Sequence, residues 1–99
     1  MEVSYKIAPL GRVANIRVTD DQIVELRANG DVRQSVSFAD LKEARWTYQQ
    51  HKGTSVRTLV LKDSAGSFKL VLSAPNRSFA KSEHYDGFNQ ALTACLEKV

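Results

Sequence analysis

The stretch Ser82 to Val99, at the C-terminal end of the chain, constrains the fold most. Its apolar residues Tyr85, Phe88, Ala91, Leu92, Cys95, Leu96 and Val99 recur at three-and-four spacing, the pattern of a single helical stripe. Asp86, Asn89, Gln90, Thr93, Glu97 and Lys98 fall on the opposite face. Ser82 is placed to cap the helix, Glu83 and Asp86 lie in or next to the first turn, and Lys98 falls in the last, as the helix dipole favours. An isolated helix of this length is marginal in water, so the stripe predicts a surface elsewhere in the chain for it to cover.

That surface reads as a run of short strands. From Val13, the apolar Ala14, Ile16 and Val18 alternate with Asn15, Arg17 and Thr19, the period of a half-buried strand. Asp20 and Asp21 form a tight polar turn. Val24 and Leu26 alternate in a second strand ending at Asn29-Gly30-Asp31, a hairpin signal whose two central positions favour positive φ. Val32, Ser35, Val36 and Phe38 carry the returning strand. Residues 1–12 contain Tyr5 and Ile7 ahead of the interruptions Pro9 and Gly11, and read as an N-terminal arm or an extra strand before a single domain over residues 13–99.

The stretch Phe38 to Gln50 admits two readings. Phe38, Leu41, Ala44, Arg45 and Tyr48 fit a helix face with Ser37 or Asp40 as cap. Against that, Ala44, Trp46 and Tyr48 alternate with Arg45 and Thr47, and a turn follows at His51-Lys52-Gly53. A short turn at Ala39-Asp40 and a strand from Leu41 to Gln49 is the favoured expectation. Thr54 to Lys62, rich in β-branched residues and closing on Leu59-Val60-Leu61, predicts a well-buried strand. Asp63 to Gly66 reads as a hairpin loop, and Phe68, Leu70 and Leu72 as the inward face of the strand after it. Pro75-Asn76 predicts a turn and Ser78-Phe79-Ala80 a last short strand. Short turns between successive strands predict an antiparallel meander.

The expected fold class is therefore mainly β with one C-terminal helix. The order of elements, the Ile23 to Ala28 strand with its Asn29-Gly30-Asp31 hairpin, Ser37 to Leu41 leading into a strand, and the Phe88 and Leu92 stripe together resemble the pleckstrin-homology-like (PH-like) barrel. The resemblance is to the small bacterial PH-like domains and covers roughly Val13 to Lys98. It implies two bent antiparallel sheets with the amphipathic helix plugging one open end. The only tryptophan is Trp46, so the helix lacks the one typical of eukaryotic PH domains.

The totals narrow the function classes. A chain of 99 residues, 42% hydrophobic and 25% charged, fits one ordinary globular domain. No apolar run approaches the ~20 residues that span a bilayer, and the N-terminal residues lack the apolar core of a signal peptide, so the expected location is cytoplasmic. The single cysteine, Cys95, lies on the helix stripe and reads as a small buried hydrophobe. Fourteen Lys and Arg against eleven Asp and Glu leave a net charge of +3. Arg12, Arg17, Arg27, Arg33, Arg45 and Arg57 are interleaved with acids, which argues for a mixed solvated surface and not for nucleic acid.

No motif for catalysis, a cofactor or a metal emerges. His51 and His84 lack patterned ligand partners, Asp20 and Asp21 lack further oxygen ligands, and there is no nucleophile elbow or phosphate-cradling loop. The expectation is a non-enzymatic protein without a cofactor. Phosphoinositide-binding PH domains place cations across the first hairpin. The loop assigned to that place here, Thr19-Asp20-Asp21-Gln22, is acidic with only Arg17 nearby and would repel the head group, so lipid binding is not carried over, and binding to phosphoinositides or an anionic membrane is kept only as the alternative reading.

What remains is a protein-protein interaction module that includes contacts with copies of itself. Trp46 and Tyr48 share a strand face and serve either as core beneath the helix or as a partner-binding patch. Arg45 and Arg57 are placed to frame it. A meander that is not fully closed leaves edge strands, and the pair Leu41 to Gln49 and Thr54 to Lys62 is the best candidate for using one.

Overall fold

In the computed structural model, residues 1–8, 11–75 and 83–98 are described, with only the backbone of Glu83 and His84. Strands β1 (Glu2–Lys6), β2 (Val13–Val18), β3 (Gln22–Leu26) and β4 (Val32–Ser37) form one antiparallel sheet in sequence order. Strands β5 (Glu43–His51), β6 (Thr54–Lys62) and β7 (Ser67–Pro75) form a second, and helix α1 spans Glu83–Leu96. The described chain is mainly β with a C-terminal helix, and its two sheets do not close into a barrel. Among the described residues, no helix is long and apolar enough to cross a membrane.

The inner faces follow the alternation in β2, where Ala14, Ile16 and Val18 are buried, and in β7, where Phe68, Leu70 and Leu72 are buried. They join Tyr5, Ile23, Val36, Leu59 and Leu61 from the other strands, and Phe88, Ala91 and Cys95 from α1, in one core. Each fully buried Leu, Ile or Phe contributes roughly 1.5–3 kcal/mol relative to exposure, so this cluster is the main source of stability.

Residues 1–12 supply a full strand. Tyr5 pairs with Ala14 and Val3 with Ile16, and α1 packs chiefly on β1, with β2 and β7 contributing less. The platform for the helix thus begins before Val13. Gly87 marks the close approach: a Cβ there would lie 3.0 Å from Tyr5 Cβ and 3.1 Å from the Ser4 carbonyl oxygen. Helices disfavour glycine by about 1 kcal/mol relative to alanine, and the clearance to β1 explains its presence.

Other boundaries differ in ways that have local causes. In β3 it is Ile23 and Glu25, opposite Val18 and Ile16, that face the main core, whereas Val24, itself buried, and Leu26 lie on the other side of the sheet. The Asn29-Gly30 turn has positive φ only at Gly30 (93°). The Gly30 N–H donates to the Arg27 carbonyl and the Arg27 N–H to the Asp31 carbonyl, giving a three-residue loop that ends on a left-handed glycine. Residues 38–40 form a turn and β5 follows it as a strand, settling the helix-or-strand ambiguity, with Leu41 in the connection instead of the strand. The β5–β6 turn places Lys52 (φ 49°) and Gly53 (φ 80°) in the left-handed region, the geometry of a two-residue hairpin.

On α1, Leu96 is 51% exposed and leaves the stripe. Lys98 lies beyond the helix end, where its ammonium donates to Asp20 Oδ1 at 2.8 Å and ties the chain end to the β2–β3 loop. Ser82, Asn76, Ser78-Phe79-Ala80 and Val99 lie outside the described residues.

Candidate functional site

The sheet edges differ in how they are covered. In β1, Met1 and Val18 exchange backbone hydrogen bonds, so Ser4, one parity out of step, directs its carbonyl to the free edge, where Gly87 of α1 meets it. In β7, the outward groups of Lys69, Val71 and Ser73 are taken by the Gln34 side-chain amide, the Tyr5 hydroxyl and the Ile7 carbonyl. In β4, the Ser37 N–H donates to Asp63 Oδ2. Among the described residues, strand β5 pairs with β6 alone, in unbroken register from Glu43–Lys62 to His51–Thr54. It has no proline or bulge, and Ala44, Arg45, Trp46 and Tyr48 to His51 are all exposed.

Beside that edge lies an aromatic and cationic face. Trp46, Tyr48 and Arg57 share the inner side of the second sheet, since Trp46 pairs with Leu59 and Tyr48 with Arg57. Trp46 is 46% exposed although its ring centroid is 6.3 Å from that of buried Phe88. Phe88 in turn meets Tyr5 edge-on at 5.7 Å, which anchors the cluster in the core. Tyr48 is 51% exposed, and its hydroxyl is 3.2 Å from Ser55 Oγ. The Arg57 guanidinium stands 5.3 Å from the Tyr48 ring centroid and 5.3 Å from that of Tyr85, so β5, β6 and α1 converge on one cation. Each such contact contributes about 0.5–1 kcal/mol at an exposed position.

Trp46 and Tyr48 are therefore at once anchored to the core margin and open to solvent. Arg57 joins them. Arg45 does not: it pairs with Val60 and projects from the opposite face of the sheet. Sequence reasoning missed Tyr85 as part of this face because its helical periodicity assigned it to the stripe covering the core.

A second polar cluster lies at the corner between the sheets. The Glu25 side chain is only 2% exposed. Arg12 donates to both its oxygens at 3.1 and 3.2 Å, the Gln34 amide donates at 2.8 Å, and Arg33 lies 3.6 Å away. The register shift opposite Glu25 and Leu26 leaves Arg33 as the extra residue of β4, which lets consecutive residues reach one carboxylate. The hydrogen bond to Glu25 raises the Arg12 pKa further. Burial first, and then the Glu25 charge, push the Tyr5 phenol above its ordinary range. Every group here has a partner, as a structural buried charge requires.

The remaining candidates are scattered. Asp20 is held below the usual carboxylate range by its hydrogen bond to Lys98. Because β1 precedes β2, the loop Thr19 to Gln22 connects the second hairpin, and the first hairpin joins Lys6 to Val13; Arg12, beside Val13, is bound to Glu25. Arg17 pairs with Glu2 at 2.6 Å. His51 is exposed at the end of β5. Comparison of the chain with known protein families, curated proteins and solved structures found no match.

Proposed function

We propose that this domain is a non-enzymatic interaction module of PH-like architecture that works through the β5 edge and the face formed by Trp46, Tyr48 and Arg57, and that its partners include copies of itself. The order of four strands, three strands and a C-terminal helix supports the PH-like reading. The observation that carries the function is the contrast between edges: β7 has its outward groups at Lys69, Val71 and Ser73 taken up, β1 lies against the helix at Ser4 and β4 is held at its end by Asp63, while among the described residues β5 presents its ladder groups beside two half-exposed aromatic rings. An edge strand that is neither blunted nor covered is a template for another strand. Tyr and Trp supply large contact area at low entropic cost, and Arg is enriched with them where partners dock.

The test is the mass in solution of the intact protein beside a Trp46→Ala, Tyr48→Ala double variant, with circular dichroism as the check on folding. An oligomeric parent and a folded monomeric variant support the reading. A monomeric parent whose variant unfolds overturns it, because the rings would then serve the core alone.

A further inference from the structure

We infer that β5 pairs with β5 of a second copy, antiparallel about a two-fold axis at Thr47, to make one continuous six-stranded sheet. This rests on the interaction reading above and names its partner and register. His51 and Thr54 flank the two-residue turn at Lys52 and Gly53 and form a bonded pair. Alternation along β5 then directs Glu43, Arg45, Thr47, Gln49 and His51 to β6. The N–H and C=O groups of Ala44, Trp46, Tyr48 and Gln50 are left pointing outward.

A two-fold at Thr47, the midpoint of the strand, sets these outward residues against one another. Trp46 faces Tyr48 of the second copy, and Ala44 faces Gln50 of the second copy. Both copies overlap along the whole of β5. On the inner face the two Trp46 and Tyr48 pairs adjoin, the cross-strand aromatic arrangement that stabilises sheets. On the outer face Glu43, already 3.3 Å from Lys62, meets His51 of the second copy, while Arg45 meets the neutral Gln49. Moving the axis to Tyr48 sets Arg45 against His51 and shortens the overlap; moving it to Trp46 sets Glu43 against Gln49 and loses the acid-base pair. The Thr47 register therefore gives both the longest ladder and the best charge match.

The two-fold also brings Thr47 opposite itself in a non-bonded pair, where antiparallel strands approach most closely, at about 4.5 Å between Cα atoms, a separation that a disulfide spans. The test oxidises Thr47→Cys, Arg45→Cys and Gln49→Cys chains with diamide and reads covalent dimers on non-reducing gels. Thr47→Cys is expected to cross-link in most of the material, and Arg45→Cys and Gln49→Cys mainly when the two are mixed. Cys95 stays silent because it is fully buried. Amide hydrogen exchange on the unmodified protein gives a second readout: protection at Ala44, Trp46, Tyr48 and Gln50 should rise with protein concentration. A protein that is dimeric by mass, but with unprotected amides at these positions or with Arg45→Cys linking to itself, overturns this register and leaves the interaction reading standing. A monomer whose Trp46→Ala, Tyr48→Ala variant unfolds overturns both.

Discussion

The Gln34 side-chain amide docks on the main chain of Lys69, donating to its carbonyl at 2.9 Å and accepting from its N–H at 2.9 Å. One side chain of β4 thereby imitates the next strand for β7. Its amide nitrogen also reaches Glu25 at 2.8 Å, so the same group couples the junction of the sheets to the buried carboxylate.

Gln34→Ala should therefore destabilise the domain by about 1–3 kcal/mol, the range for polar groups that lose their partners. Gln34→Glu should be worse at neutral pH, since a carboxylate cannot donate to the Lys69 carbonyl and would repel Glu25. Urea unfolding of the two variants beside the parent checks the order. Equal stability of all three would show that the junction is held elsewhere.

Arg12 and Glu25 should behave as a coupled pair. Arg12→Ala leaves a buried carboxylate short of its bidentate partner and should cost about 2 kcal/mol, in the range for hydrogen bonds to charged groups. Glu25→Leu removes the charge altogether, so adding Arg12→Ala to it should cost much less than Arg12→Ala alone. The double-mutant cycle in denaturant measures this coupling; strict additivity would mean that Arg33 and Gln34 alone satisfy Glu25.

Gly87→Ala sets two effects against each other. Helix propensity favours alanine by about 1 kcal/mol, but the new Cβ would meet Tyr5 Cβ at 3.0 Å and the Ser4 carbonyl at 3.1 Å, neither of them a flexible group. Overpacking of this kind costs about 1–3 kcal/mol, so the variant should melt at a lower temperature. A rise in melting temperature would show that the helix can move off β1 freely.

Burial pushes the Cys95 thiol up to about 11 from its ordinary 9.0. The folded state favours the protonated thiol, so this contribution is intact below pH 9.0 and is lost as pH rises through about 11. Tyr5, raised for the same reason, adds to the loss from pH 10.0 upward. Native protein should resist thiol reagents at pH 8 and react once unfolded, and Cys95→Ala should flatten the first part of the alkaline decline. Rapid labelling of the folded chain would show an open path to the sulfur.

In the first hairpin Arg12 is committed to Glu25, and Asp20 in the second is held by Lys98. Vesicles containing a phosphoinositide should therefore pellet no more of the protein than neutral ones. Strong, salt-sensitive pelleting would favour the lipid reading instead.

Strict period-two alternation in Val13–Val18 and Phe68–Leu72, and the three-and-four spacing of Phe88, Ala91 and Cys95, determined these faces from sequence alone, because local periodicity is itself the physical signal. Where apolar residues are adjacent, as at Ile23-Val24, the period has no phase, and only pairing with Val18 and Ile16 decided that Ile23 and Glu25 turn inward. The use of residues 2–6 as the main platform for the helix, the Arg33 bulge that gathers cations on Glu25, and the closing of the β7 edge by Gln34, Tyr5 and Ile7 are contacts between residues distant in the chain. The exposure of Trp46 and Tyr48 has the same origin. Alternation placed both rings on the inner face, but only the tertiary structure decided that the helix covers β1 and leaves them half open, since a strand's period names its faces and not what comes to lie on them.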